Sequence, residues 1–141
     1  MAEGDDVGKT ARVGYEIGVR RTLPFSEERV WALLLSPDGL RTWLGGPAAI
    51  ADGAAYTLSN GTAGRITVYK PWSHLRLTWQ PTGWVQPSTL QVRVIPASRG
   101  TTVSFHQEHL RDAAARTQMK AHWEQVIDSL AEMLRRSDKA E

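Results

Sequence analysis

The chain contains no cysteine among its 141 residues, which excludes disulfides, thiolate nucleophiles and cysteine-based metal sites. The same absence suits a reducing compartment. Carboxylates are missing over a long central stretch. From Gly53 to Gln107 there is no Asp or Glu, while Arg65, Lys70, Arg76, Arg93 and Arg99 supply positive charge. Strands disfavour acidic residues and accept Arg on their wet face, and a basic stretch also attracts anionic partners. No apolar run approaches the roughly 20 residues that span a bilayer. The start of the chain, Met1 to Lys9, is polar and unlike a secretory leader. The expected setting is cytoplasmic, with no membrane partner. A net charge of +2 is too small to argue for nucleic acid, and no glycine-rich phosphate loop is present.

What is present reads as one domain, since domains most often run to about 100–150 residues. Hydrophobic residues make up 41% of the chain, enough to build a core without staples. Val13, Tyr15, Ile17 and Val19 alternate with polar residues or glycine, the period of a half-buried strand. Ser26 then offers an N-cap, followed by Glu27 and Glu28 at the positive end of a short helix through Val30, Trp31 and Leu34. Ser36-Pro37 closes that helix, and Pro37 opens a second, carrying Leu40, Trp43 and Leu44 up to Gly45-Gly46-Pro47.

From Ala48 to Gln107 the chain reads as about six short strands joined by turns, including the hairpin signal Asn60-Gly61. Met119, Trp123, Val126, Ile127, Leu130, Met133 and Leu134 then recur every three or four residues. That is the apolar stripe of a long helix, expected over about Arg111 to Arg136. The order is α+β: a sheet whose apolar face only the long helix is large enough to cover. A domain over 13–136 is expected, with flexible tails at 1–12 and 137–141.

Several strings in this order resemble the START-like (SRPBCC, helix-grip) superfamily, and within it the AHSA-like branch of heat-shock-chaperone ATPase activator homologues. Pro24-Phe25-Ser26-Glu27-Glu28-Arg29-Val30-Trp31 is similar to that branch's first-helix entry. Ser36-Pro37-Asp38-Gly39-Leu40-Arg41-Thr42-Trp43-Leu44 resembles its proline-started second helix. Gly64-Arg65-Ile66 through Leu75-Arg76-Leu77-Thr78-Trp79 resembles its central hairpin. Ser88 to Val92, Gly100 to Phe105 and Trp123 to Leu134 are similar to the last two strands and the final helix. The resemblance covers roughly residues 13 to 135 and implies a curved antiparallel sheet gripping a long C-terminal helix, with two short helices after the first strand. His122 departs from the pattern, standing where these relatives often have glycine before the tryptophan. The resemblance implies binding of a small hydrophobic or amphipathic molecule in an internal cavity, or a protein-interaction role such as a chaperone regulator or stress-response partner. A cyclase- or hydrolase-like enzyme is the third alternative, and the chain is expected as monomer or homodimer.

Six tryptophans are present, and Trp43, Trp79 and Trp123 fall on three elements that such a fold brings together. The cavity candidates are Trp43, Tyr56, Leu77, Trp79, Phe105, Met119, His122 and Trp123. Tryptophan also fills core volume, so packing is the competing role for each ring. Trp72 and Trp84 lie near turns, where they can serve a cavity mouth or a partner surface. Acid–base chemistry has few candidates: Asp52, a strand-end Glu108 expected on a solvated edge, and His122. No cofactor is expected. Metal binding needs three converging ligands, and His106 and His109 have no evident third. Elemental analysis of dialysed, untagged protein is therefore expected to find no stoichiometric zinc or iron.

Overall fold

The computed structural model describes residues 9–10 and 14–140. In chain order the elements are β1 (Lys9–Thr10), β2 (Gly14–Leu23), α1 (Glu27–Leu35), α2 (Pro37–Trp43), β3 (Ala55–Thr57), β4 (Ala63–Lys70), β5 (His74–Trp79), β6 (Ser88–Ala97), β7 (Gly100–Leu110) and α3 (Ala113–Ala140). The strands form one antiparallel sheet in the order β1-β2-β7-β6-β5-β4-β3. Five strands, rather than about six, follow α2. Residues 1–12 of the expected N-terminal tail lie outside the described residues, except that Lys9 and Thr10 pair with Tyr15 and Gly14 as β1. At the other end α3 continues to Ala140, four residues beyond the expected boundary.

The two short helices start as their side chains dictate. Ser26 Oγ accepts the amide of Arg29 at 3.3 Å, and Ser36 Oγ accepts that of Gly39 at 3.0 Å. Each bond satisfies one of the orphan amides of a first turn. Gly39 is required because a Cβ there would collide with the Leu33 carbonyl where α1 and α2 turn sharply on each other. Asp112 caps α3 by accepting the amide of Ala115 at 2.8 Å.

The core lies between the concave face of the sheet and α3. Leu75 and Leu77 on β5, Leu90 and Val92 on β6, and Val103 and Phe105 on β7 alternate inward and are fully buried. Against them α3 places Met119, Trp123, Val126, Ile127, Leu130 and Leu134, also buried. Arg21, on the same face of β2, pairs with Asp128 of α3 at 2.5 Å. This is the α+β helix-grip architecture. No helix among the described residues is long and apolar enough to cross a membrane.

Leu130 is 2% exposed in the middle of the buried stripe. Leu130→Ala is expected to cost about 2–5 kcal/mol in urea unfolding, because truncation leaves a cavity that the rigid sheet cannot close.

Candidate functional site

The aromatic residues nominated from the sequence converge, and they converge by touching. The Phe105 and Trp123 rings stack with centroids 4.7 Å apart, and Trp43 meets Phe105 at 6.3 Å. Trp79 lies 5.5 Å from Trp123. His122 stands edge-on to Trp123 at 4.7 Å and 6.1 Å from Trp79. Leu77 and Met119 are buried in the same cluster. Tyr56 does another job. Its hydroxyl donates to the Thr78 carbonyl at 2.6 Å, reaching across β4 over Gly64, where a Cβ would collide with both groups. Burial raises its phenol pKa well above the ordinary range.

Buried polar atoms in this cluster are matched one to one. Trp123 Nε1 donates to Gln107 Oε1 at 2.8 Å, and Gln107 Nε2 donates to Ser88 Oγ at 3.0 Å. Ser88 Oγ in turn donates to the Trp79 carbonyl at 2.7 Å. Trp43 Nε1 donates to the Leu34 carbonyl and Trp79 Nε1 to that of Leu44. Indole N–H groups seldom go unbonded when buried, and these bonds fix the orientation of all three rings.

The open space lies next to this cluster, at the end of the grip where β5 runs into β6. A cleft of about 510 Å³ is bounded by residues 82–86 of that connection, His109 and Arg111 at the end of β7, and Ala115 and Gln118 on α3. Trp84 joins cleft to core: it lines the space, and its ring meets Trp79 edge-on at 5.9 Å. The connection is braced by Gln80 Nε2 donating to the Trp84 carbonyl at 2.8 Å and by Thr82 Oγ1 donating to the Asn60 carbonyl at 2.6 Å. Val85 is 88% exposed at the rim.

A β-bulge brings His109 into the wall. Tyr15 pairs with Leu110 and Ile17 with Gln107, so Glu108 and His109 together oppose Glu16 alone. His109 takes φ 64°, a left-handed conformation that costs a branched or bulky residue strain. The bulge also corrects the expectation for Glu108. It is buried rather than solvated, and its carboxylate accepts from Arg76 at 3.2 Å. Asp52 is structural, accepting the Tyr69 amide at 2.7 Å. Among the described residues no three His, Asp or Glu side chains are grouped to hold a metal ion.

Comparison with known proteins gives the family. The sequence profile of the activator of Hsp90 ATPase homolog 1-like protein family matches residues 24–135. The chain belongs to this family. No curated protein matches it. Among solved structures, protein MLL2253 from Mesorhizobium loti superposes with a TM-score of 0.74 at 22% identity, over 86% of this chain and 97% of that one. CalU16 from Micromonospora echinospora gives 0.74 at 20% identity, over 85% and 74%. DynU16, a protein of the dynemicin biosynthetic locus, gives 0.76 at 20% identity over 85% of this chain. The chain spans about half of DynU16, covering 47% of its length. At these identities the likeness is one of fold.

Sequence reasoning located the aromatic cluster and placed Trp84 near a turn. It missed Arg111, Ala115, Gln118 and the reorientation of His109. The usable signal was Gly83-Trp84-Val85, a tryptophan and a valine displayed on a glycine turn.

His122 offers a direct check on the packing. One side of the exposed imidazole lies against Trp79 and Trp123, and this partial desolvation penalises the cation and pulls the pKa below the ordinary 6.5. The folded state thus favours neutral His122, a contribution complete above about pH 6.5 and lost as pH falls through the depressed value. The urea midpoint of the native protein should fall more between about pH 7.5 and pH 5 than that of His122→Gln. His74 shifts the same way and is common to both proteins, so the difference isolates His122.

Proposed function

We propose that the protein binds a small amphipathic molecule without transforming it, in the cleft between the β5–β6 connection and the start of α3. The observation that carries this reading is the cleft itself: about 510 Å³ is within the range of small-ligand sites. Trp84, Val85 and Ala115 supply apolar wall, and His109, Arg111 and Gln118 supply polar groups at one side. The helix-grip fold generally holds hydrophobic ligands, which supports the same reading. No carboxylate lines the cleft, so a general base would have to be His109 alone, and binding is favoured over a cyclase or hydrolase role.

In this reading the nominated aromatics form the inner wall rather than the lining. Trp79 backs Trp84, while Trp43, Phe105 and Trp123 close the interior behind it, and His122 covers Trp79 and Trp123 from the solvent side. A bound apolar body would gain about 25 cal/mol for each Å² removed from water. The cysteine-free composition suits a cytoplasmic setting. A chaperone-regulator role has the family's description behind it, and no feature of the cleft calls for it.

Titration of fatty acids, flavonoids and polyketide-like aromatics against tryptophan fluorescence is the test. Saturable quenching is expected, weakened about five- to tenfold in Trp84→Ala, the worth of one lost aromatic contact. His109→Gly separates binding from folding: relief of the left-handed strain should hold or raise the unfolding midpoint, while affinity falls. Absence of any binding below about millimolar, or an unchanged affinity in Trp84→Ala, would overturn the proposal.

A further inference from the structure

The acid-free stretch noted in the sequence acquires a shape once the strand registers are known. Lys70 pairs with His74, His74 with Arg93, Arg93 with Ser104, and Ser104 with Arg20. These five residues are successive cross-strand partners on β4, β5, β6, β7 and β2. Their neighbours Leu75, Val92, Val94, Val103 and Phe105 point into the core, so the row lies on the convex face. At about 4.8 Å per strand it runs about 19 Å across the sheet.

No carboxylate among the described residues pairs with it. Arg21, Arg41, Arg76, Arg111, Lys120, Arg135 and Arg136 each have a carboxylate partner. Among the described residues Lys70, Arg93 and Arg20 have none. The far end of the same face is self-neutralised, with Arg76 on Glu108 and His106 between Glu16 and Glu108. His74, paired with both Lys70 and Arg93, has its pKa lowered by burial first and then by Arg93 and Lys70. The three cations alternate with His74 and Ser104 at about 9.6 Å, within the range of unscreened repulsion, and that repulsion has no counter-charge among the described residues.

We propose that this row is a docking surface for an acidic helix of a partner protein, laid across the strands with one carboxylate over each cation. The spacing supports a helix: the cations stand on alternate strands, about 9.6 Å apart, and same-face residues two turns apart along a helix are separated by about 10.8 Å. Ser104, together with Thr102 and Thr22 in the next row, offers hydroxyls for the polar rim. A membrane fits less well, because the exposed large apolar side chains among the described residues are Trp72 and Val85, and neither lies in the row. Trp72 instead leans on Trp31 of α1 at 6.4 Å. A nucleic-acid strand fits less well too, with three cations and no Phe, Tyr or Trp in the row to stack a base. The row sits at the opposite end of β5 from the cleft, so this proposal stands or falls independently of ligand binding there.

Fluorescence anisotropy with the whole protein tests it, using two synthetic alanine-rich peptides of about 15 residues, four helical turns. One carries glutamates in phase on a single face, and the other has the same composition with glutamates on all faces. The in-phase peptide is expected to bind about tenfold more tightly, and more weakly as salt rises. Combined Lys70→Gln, Arg93→Gln and Arg20→Gln should reduce that binding about tenfold with an equal or higher unfolding midpoint. Arg135→Gln with Arg136→Gln should leave binding unchanged. Arg93→Gln alone, a smaller perturbation, should lose part of the affinity if the triple variant fails to fold. Equal binding of the two peptides, unchanged binding by the row variants, or tighter binding of phosphatidylserine vesicles or single-stranded DNA would overturn the proposal.

Discussion

The hydrogen bond from Trp123 to Gln107 is the constraint on which the interior depends. Both residues have no exposed surface. An indole N–H buried there without a partner would cost about 1–3 kcal/mol, and so would an unpaired amide. Gln107 meets both needs by accepting from Trp123 and donating to Ser88, which then donates to the Trp79 carbonyl. Four elements, α3, β7, β6 and β5, are thereby tied at one level. This level also sets the face-to-face stack of Phe105 and Trp123. The helix cannot slide along the sheet without breaking the bonds and the stack together.

That lock divides the grip into a filled part and an open part. Behind it, Trp43, Phe105, Trp79 and Trp123 occupy the interior, with bonded indoles that resist repacking. In front of it, the β5–β6 connection arches away from α3 and leaves the cleft. His122 stands at the division. Where the relatives it resembles often carry glycine, this chain carries an imidazole lying against two tryptophans. The imidazole is exposed on its far side, so it covers Trp79 and Trp123 from outside and does not line the cleft, whose aromatic wall is Trp84.

Much of the fold was legible because its signals are local. Serine caps, a proline at a first helical turn, period-two strands and a long apolar stripe each act within a few residues. The aromatic cluster was legible because three tryptophans on three elements must meet in such an architecture. The cleft was not, since its walls come from residues 82–86 and 109–118, joined only through a β-bulge that pairing reveals. The same bulge hid the burial of Glu108. The basic stretch was visible as composition, but a row of cross-strand partners exists only once register is known. Even the end of α3 ran past expectation, because Glu132 pairs with Arg135 and Arg136 and sustains the last turns without apolar anchors.

Membership of the activator of Hsp90 ATPase homolog 1-like family fixes the scaffold and leaves the cargo to the site. The account holds that the interior is closed by its own rings and that a ligand sits at the mouth. Backbone amide chemical shifts recorded with the tightest-binding fatty acid or flavonoid test this most directly. The account predicts perturbations concentrated at Gly83 to Gln86, His109, Arg111 and Gln118, with Phe105 and Val92 little changed. Perturbations centred on Phe105, Trp43 and Leu77, with the β5–β6 connection unaffected, would contradict it.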